Sequence, residues 1–291
     1  MSFSRNNRNK RPKDPYRVSR FMEKVKTSLT YFLLLCTAFL VLYPLMIIFS
    51  SSLKTEMEMF LSPNRMIPQN LILDNFAALK DTFPLYIFNS LKLTVTITVL
   101  QVLTASTSGY ALSKLIWKGR NFVFLLYVAS IMIPFQVYII PQFIVIRNLG
   151  LYDTHLAIIL VSSFTAFGTF LMKQYISTIP DSYIEAAKIN GANHLFIFVR
   201  IILPLAKPTL ATLIILSFRY WWNDLFTALI YISSQELKTI PLGMSDFVGE
   251  YQTLFGPQMA ASLIAILPVI MIFIFAQKYI VQGVVASGIK G

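Results

Sequence analysis

Apolar windows long enough to cross a lipid bilayer recur six times along this chain, at 29–50, 89–112, 122–146, 155–172, 210–232 and 260–281. About 20 residues of helix rise roughly 30 Å, the thickness of a bilayer's hydrocarbon core. Lipid offers no water to satisfy backbone amides, so each window has to fold as a helix. Charge content agrees, since only 13% of the residues are charged and 56% are apolar, against about 25% charged in an ordinary soluble domain. The fold class read from the sequence is all-α, a polytopic membrane protein with six transmembrane helices. The second window is the most polar, with threonines and serines between Thr94 and Ser108. Hydroxyls in such a span bond back to the preceding turn or across to a neighbouring helix.

Six crossings put both termini on one side. With the N-terminus inside, segments 1–28, 113–121, 173–209 and 282–291, together with Lys278, hold 18 of the 25 Lys and Arg but four of the 13 Asp and Glu. Basic residues near span ends set orientation, so both termini are expected in the cytoplasm. The formal charge of +12 is then spent on topology, and no nucleic-acid partner is needed. The first window is too long for a cleaved signal and lacks a small-x-small cleavage pattern after it. Before it, Val18, Phe21, Met22, Val25 and Leu29 fall on one helical face, which predicts an interfacial helix leading out of a basic arm. Pro44, Pro134, Pro141 and Pro268 lie inside windows and are expected to kink them. The lone Cys36 and the separated His155 and His194 supply neither a disulfide framework nor a metal site.

One inside loop carries a denser signal. It reads Ile179-Pro180-Asp181-Ser182-Tyr183-Ile184-Glu185-Ala186-Ala187-Lys188-Ile189-Asn190-Gly191. Ser182 and Glu185 have capping-box spacing, and Asn190-Gly191 supplies a left-handed stop, so a two-turn helix is predicted between two spans. Glu185 has a plainer reading as a cap and nothing more. Glu185-Ala186-Ala187, three residues, Gly191, nine residues, Ile201, one residue, then Leu203-Pro204 form a longer pattern. That pattern resembles the signature of membrane subunits of bacterial ATP-binding-cassette importers, at every fixed position.

The resemblance runs from about residue 29 to the end and is closest to the carbohydrate-uptake branch, the second permease of maltose-type transporters. Asn89-Ser90-Leu91, Gly109-Tyr110-Ala111-Leu112, Trp222-Asn223-Asp224-Leu225 and Ile240-Pro241-Leu242-Gly243 carry it, with Arg219, Ala228 and Asn190 as departures. It implies a type I importer fold, with a core over 89–281 behind the first span, an extracytoplasmic loop over 51–88 and a coupling loop over 173–209. The helix around Glu185 would dock on an ATPase, through Ser182, Glu185, Ala186, Ala187, Gly191, Leu203 and Pro204. Implied partners are a second permease, two ATPase subunits that bind ATP and Mg, an extracytoplasmic substrate-binding protein, a sugar, and membrane lipid. No Walker motif or other phosphate loop occurs in this chain, so it is expected to bind no cofactor and to hydrolyse nothing itself. The tail 282–291 is too polar and small to fold alone. By the same resemblance Ser287, Gly288, Ile289 and Lys290 would enter the interface between the ATPases.

Arg219 falls near the middle of the fifth window, where a charge costs at least about 2.5–3.5 kcal/mol, so it should face protein or a wet cavity. With Trp222 and Asn223 it forms a candidate path lining, the alternative being a contact with a partner helix. Gln136, Tyr138 and Gln142 are further candidates, unless they only satisfy a neighbouring helix. Phe247, Glu250 and Tyr251 in the loop over 233–259 could meet a binding protein or merely fold as a cap. The reading is a permease of a sugar importer. A related one keeps the complex and changes the cargo to glycerol phosphate or an acidic oligosaccharide. A membrane enzyme would need paired acids or histidines, and a channel would leave the Glu-Ala-Ala loop without a purpose.

Overall fold

The computed structural model describes the backbone of residues 17–249 and 254–288, and side chains over 22–249 and 254–274. The described chain is helical in every regular segment except for single turns. Its helices are α1 (Arg17–Ser52), α2 (Glu56–Leu61), α3 (Asp74–Ala77), α4 (Phe83–Lys114), α5 (Arg120–Ile131), α6 (Phe135–Asn148), α7 (His155–Ser162), α8 (Ala166–Thr178) and α9 (Ser182–Ile189). They continue with α10 (His194–Ile197), α11 (Leu203–Leu205), α12 (Lys207–Trp222), α13 (Phe226–Tyr231), α14 (Ile240–Ser245) and α15 (Phe255–Gly288). Four stretches are long and apolar enough to cross a membrane, and two bent pairs raise the number to six if each is one span. The bends are 102° between α5 and α6 and 79° between His194–Leu205 and Lys207–Trp222.

The number of spans agrees with the sequence, and several boundaries do not. The expected interfacial helix and first span are one continuous 36-residue helix, α1. Only Pro134 of the four span prolines sits at a break; α1, α6 and α15 run on through Pro44, Pro141 and Pro268. The fifth window is interrupted at Asn223–Leu225 and resumes as α13. The last helix continues to Gly288, so the first residues of the expected tail, 282–288, are helical.

Helix α4 is the centre, packing most extensively on α8 and then on α12. Gly109 allows the α4–α8 crossing: a Cβ there would stand 2.7 Å from Met172 Cβ and 2.9 Å from the Lys173 backbone nitrogen. Some hydroxyls of α4 bond back to the preceding turn as expected, Thr104 Oγ1 donating to Leu100 O at 2.8 Å and Ser113 Oγ to Gly109 O at 2.7 Å, whereas the buried Thr94 and Thr98 hydroxyls have no hydrogen-bond partner among the described residues. Buried Gln101 joins three helices, donating to Ser162 O at 2.7 Å and accepting from Ser217 Oγ at 2.5 Å. This bond satisfies a carbonyl freed where α7 gives way to α8, a break that Thr165 closes by accepting from Gly168 N at 3.1 Å.

Where α4 begins, the 51–82 segment folds as a cap. Lys54 is fully buried, and its ammonium donates to the carbonyls of Ser62, Pro63 and Arg65 at 3.3, 3.4 and 2.5 Å. Asn75 Nδ2 donates to Ser52 O and Lys54 O, each at 2.9 Å. Glu56 accepts from Gly256 N at 3.0 Å, at the start of α15, where a carboxylate suits the helix dipole. Asp153, with φ 58°, accepts from Ser233 N and Ser234 N at 2.8 and 2.9 Å and from the Ser234 hydroxyl.

Those bonds from Ser234 and Ser233 hold the Asp153 carboxyl below its ordinary range. A carboxyl depressed in the folded state contributes stability above its unfolded value, about 3.9, and loses it as pH falls through the folded value. Acidification from pH 5 to below 3 is therefore expected to loosen the junction between Asp153 and Ser234, read as reduced protection of the Ser233 and Ser234 amides relative to their intrinsic exchange rates at the same pH. Asp153→Asn should show that loosening already at pH 7 and lose the acid dependence. Identical protection at both pH values would contradict it.

Candidate functional site

Helix α9 stands off the core on a short, rigid mount. Ile184 is buried and Ala187 half-buried against the cluster of Tyr110, Met172, Ile176 and Ile197. Its N-terminus departs from the sequence reading. The cap is Asp181, without a side-chain capping bond, and Ser182 is the first helical residue, so Ser182 and Glu185 form no capping box. The Asp181 carboxylate instead takes the Lys114 ammonium at 2.6 Å, and Lys114 also donates to Ile179 O at 2.5 Å. The end of α4 thus ties down the entry to α9. The C-terminus is as expected: Gly191 adopts φ +79°, Gly191 N donates to Lys188 O at 2.9 Å and Ala192 N to Ala187 O at 3.0 Å. This paired closure is the Schellman stop, and it sends the chain back toward the core.

Outward, α9 presents Ser182, Glu185, Ala186 and Ile189, all exposed, with exposed Tyr183 at its flank. Ile189 is 86% exposed, and Leu195 and Phe196 in the next helix are 71% and 53% exposed. Leu203 is half-buried and Pro204 exposed in α11, just after a π-helical turn over Phe198–Ile202. Proline has no N–H to give, and the wider turn lets Leu203 N bond Phe198 O instead. Tyr183 and Ile189 were absent from the expected site, although helical periodicity places Ile189 opposite Ile184 and Ala187 and Tyr183 at the edge of that buried face.

The second candidate lies where the fifth window breaks. Arg219 is exposed, and Asn223 Nδ2 donates back to Arg219 O at 2.8 Å, closing α12. Trp222 does not line a path. It is buried, stacks on Phe218 with centroids 5.7 Å apart, and donates from Nε1 to Ala265 O at 2.9 Å. Gln136 and Tyr138 are exposed on α6, while Gln142 accepts from Tyr231 Oη at 3.1 Å, across to α13. Asp224 and Arg219 form no ion pair, as their five-residue spacing suggested; the ion pairs among the described residues are Lys114–Asp181 and Lys238–Asp246. Half-buried Phe247 packs with Leu79, Phe83 and Tyr86 in the cap. Glu250, Tyr251, Ile289 and Lys290 lie outside the described residues; Ser287 and Gly288 fall within α15 as backbone only.

A helical membrane body with a small-residue helix projecting at one end defines a class, the membrane components of transport complexes. The chain belongs to the family described as binding-protein-dependent transport system inner membrane component, whose model matches residues 101–286. It is 33% identical over 259 residues to the arabinooligosaccharides transport system permease protein AraQ of Halalkalibacterium halodurans, covering 87% of this chain and 93% of that one. It is 31% identical over 257 residues to the sn-glycerol-3-phosphate transport system permease protein UgpE of Pectobacterium atrosepticum, covering 85% and 92%. Among solved structures, a bacterial ABC transporter involved in the import of the acidic polysaccharide alginate matches with TM-score 0.77 and 26% identity, over 93% of this chain and 100% of that one. The type I importer permease fold follows from these likenesses.

Proposed function

We propose that this chain is one of two permease subunits of an ATP-driven importer of a sugar or oligosaccharide in the bacterial cytoplasmic membrane, with both termini inside. A second permease completes the path, two ATPase subunits bind ATP and Mg, and an extracytoplasmic binding protein delivers the solute. The observation that carries the reading is α9. A helix capped by a Schellman stop, tied by Lys114–Asp181 and anchored by Ile184 leaves an Ala186–Ile189 face open to solvent. Small residues there let a second surface approach, and exposed Ile189, Leu195 and Phe196 together offer apolar area for a protein to cover. Closure of an ATPase dimer would push α9, and α9 would push α4 and α8 behind it, so that access alternates between the two sides. The cargo class rests on the relatives that carry arabino-oligosaccharides and glycerol phosphate. A second reading, an anionic cargo, is favoured by exposed Arg219, which has no carboxylate within ion-pair distance among the described residues.

The test is uptake into proteoliposomes holding the four-subunit complex. Solute is expected to enter only with loaded binding protein outside and ATP inside. Entry without the ATPase subunits would make the chain a channel component and overturn the reading.

A further inference from the structure

Between the first two spans the cap turns polar groups inward and apolar ones outward. In α2, Met57, Phe60 and Leu61 share one face at helical spacing and are 68%, 85% and 70% exposed, while Glu58 is buried. Glu58 Oε1 accepts from Gln69 N at 2.7 Å, and Glu58 N donates to Thr55 Oγ1 at 3.2 Å. The carbonyls of Ser62, Pro63 and Arg65 converge on the buried Lys54 ammonium, and Ile67 nearby is exposed. Large apolar side chains outside and a carboxylate and an ammonium inside are the reverse of a water-bathed loop.

Hydrogen bonds fix the level at which this face stands. Ser50 Oγ, in the last turn of α1, donates to Arg65 O at 3.2 Å. Gly256 N, in the first turn of α15, donates to Glu56 Oε1 at 3.0 Å. Helix α2 is therefore held between the ends of the first and sixth spans. The apolar window over 29–50 rises about 33 Å, enough for a hydrocarbon core of about 30 Å, so Ser50 stands at its outer edge. Only residues 53–55 separate α1 from α2. None of the apolar window of α1 is buried within this chain, so its exposed apolar surface leads directly into that of α2.

We propose that Met57, Phe60 and Leu61 insert into the outer leaflet, at the boundary between headgroups and acyl chains. Helix α2 is then a lipid contact lying on the membrane and, through Glu56 and Gly256, it holds the outer end of α15 at the surface. A binding protein that docks and leaves uses a surface of mixed polarity. This face carries no charged side chain, and it continues the exposed face of a spanning helix, which is the pattern of an interfacial segment. The inference rests on the spans and their orientation, not on the cargo.

The experiment uses the full chain with its partner subunits, in vesicles of phosphatidylethanolamine and phosphatidylglycerol. Met57→Cys, Phe60→Cys and Leu61→Cys, each in a Cys36→Ser background, carry a nitroxide whose relaxation by oxygen and by a nickel chelate is measured. Oxygen concentrates in hydrocarbon and the chelate stays in water. At all three positions oxygen is expected to relax the label more than nickel does, at a depth of about 5–10 Å below the headgroup boundary. Asp81→Cys, exposed just before α4, should show the reverse order. The three side chains are exposed, so a label there displaces no packed neighbour, and three positions guard against one label disturbing the cap.

Nickel relaxation prevailing at two or more of the three would place α2 in water and overturn the proposal. Weak relaxation by both agents would place the face against protein and overturn it equally. That protein would be the second permease if the block is present from the start, and the binding protein if it appears only on adding it.

Discussion

Gly109→Val is expected to remove the folded chain from the membrane. The first added carbon would sit 2.7 Å from Met172 Cβ and 2.9 Å from Lys173 N, and neither is the movable end of a side chain. Relief requires α4 and α8 to separate along a contact that also buries Ala105, Met172 and Ile176. Overpacking alone costs about 1–3 kcal/mol, and prying apart backbone costs more. Gly150→Ala is the control, since nothing lies within 4 Å of its Cβ and the strain is confined to a turn with φ +70°. A fluorescent fusion followed by size-exclusion chromatography reads the effect. A monodisperse Gly109→Val peak of parental height would show that the close crossing is absent.

Gly191→Pro is expected to abolish uptake while leaving insertion intact. Proline removes the Gly191 N–H that donates to Lys188 O and sets φ near −65°, where the stop requires +79°. The Ala192 N to Ala187 O bond is lost with it, so the outward face of α9 is re-aimed. Gly191→Ala carries only the left-handed strain, about 1–2 kcal/mol, with open space around its Cβ, and should retain part of the activity. Glu185→Lys reverses charge on the outward face without touching the fold behind it. Pull-down of the ATPase subunits and uptake are the paired measurements. Full ATPase association and full uptake by Gly191→Pro would remove α9 from the coupling role.

The number of spans and the stop of α9 were legible because both are local. Length and apolarity decide whether a helix crosses lipid, and Gly191 carries its own positive φ wherever it sits. The continuous helices α1 and α15 were less so, since nothing in a basic or small-residue flank says where a helix that is already nucleated will fray. Side-chain roles depended on distance in space. Trp222 and Asn223 are adjacent, yet Trp222 turns inward because a carbonyl 43 residues later, at Ala265, receives its indole N–H. Asp181 rather than Ser182 takes the cap position of α9, with Lys114, 67 residues earlier, holding its carboxylate. Backbone hydrogen bonds inside lipid are satisfied within a helix, so the sequence alone determined how many apolar stretches can cross it. Which polar residues face a path and which are sealed in a core is settled between helices, by packing that no single stretch of sequence contains.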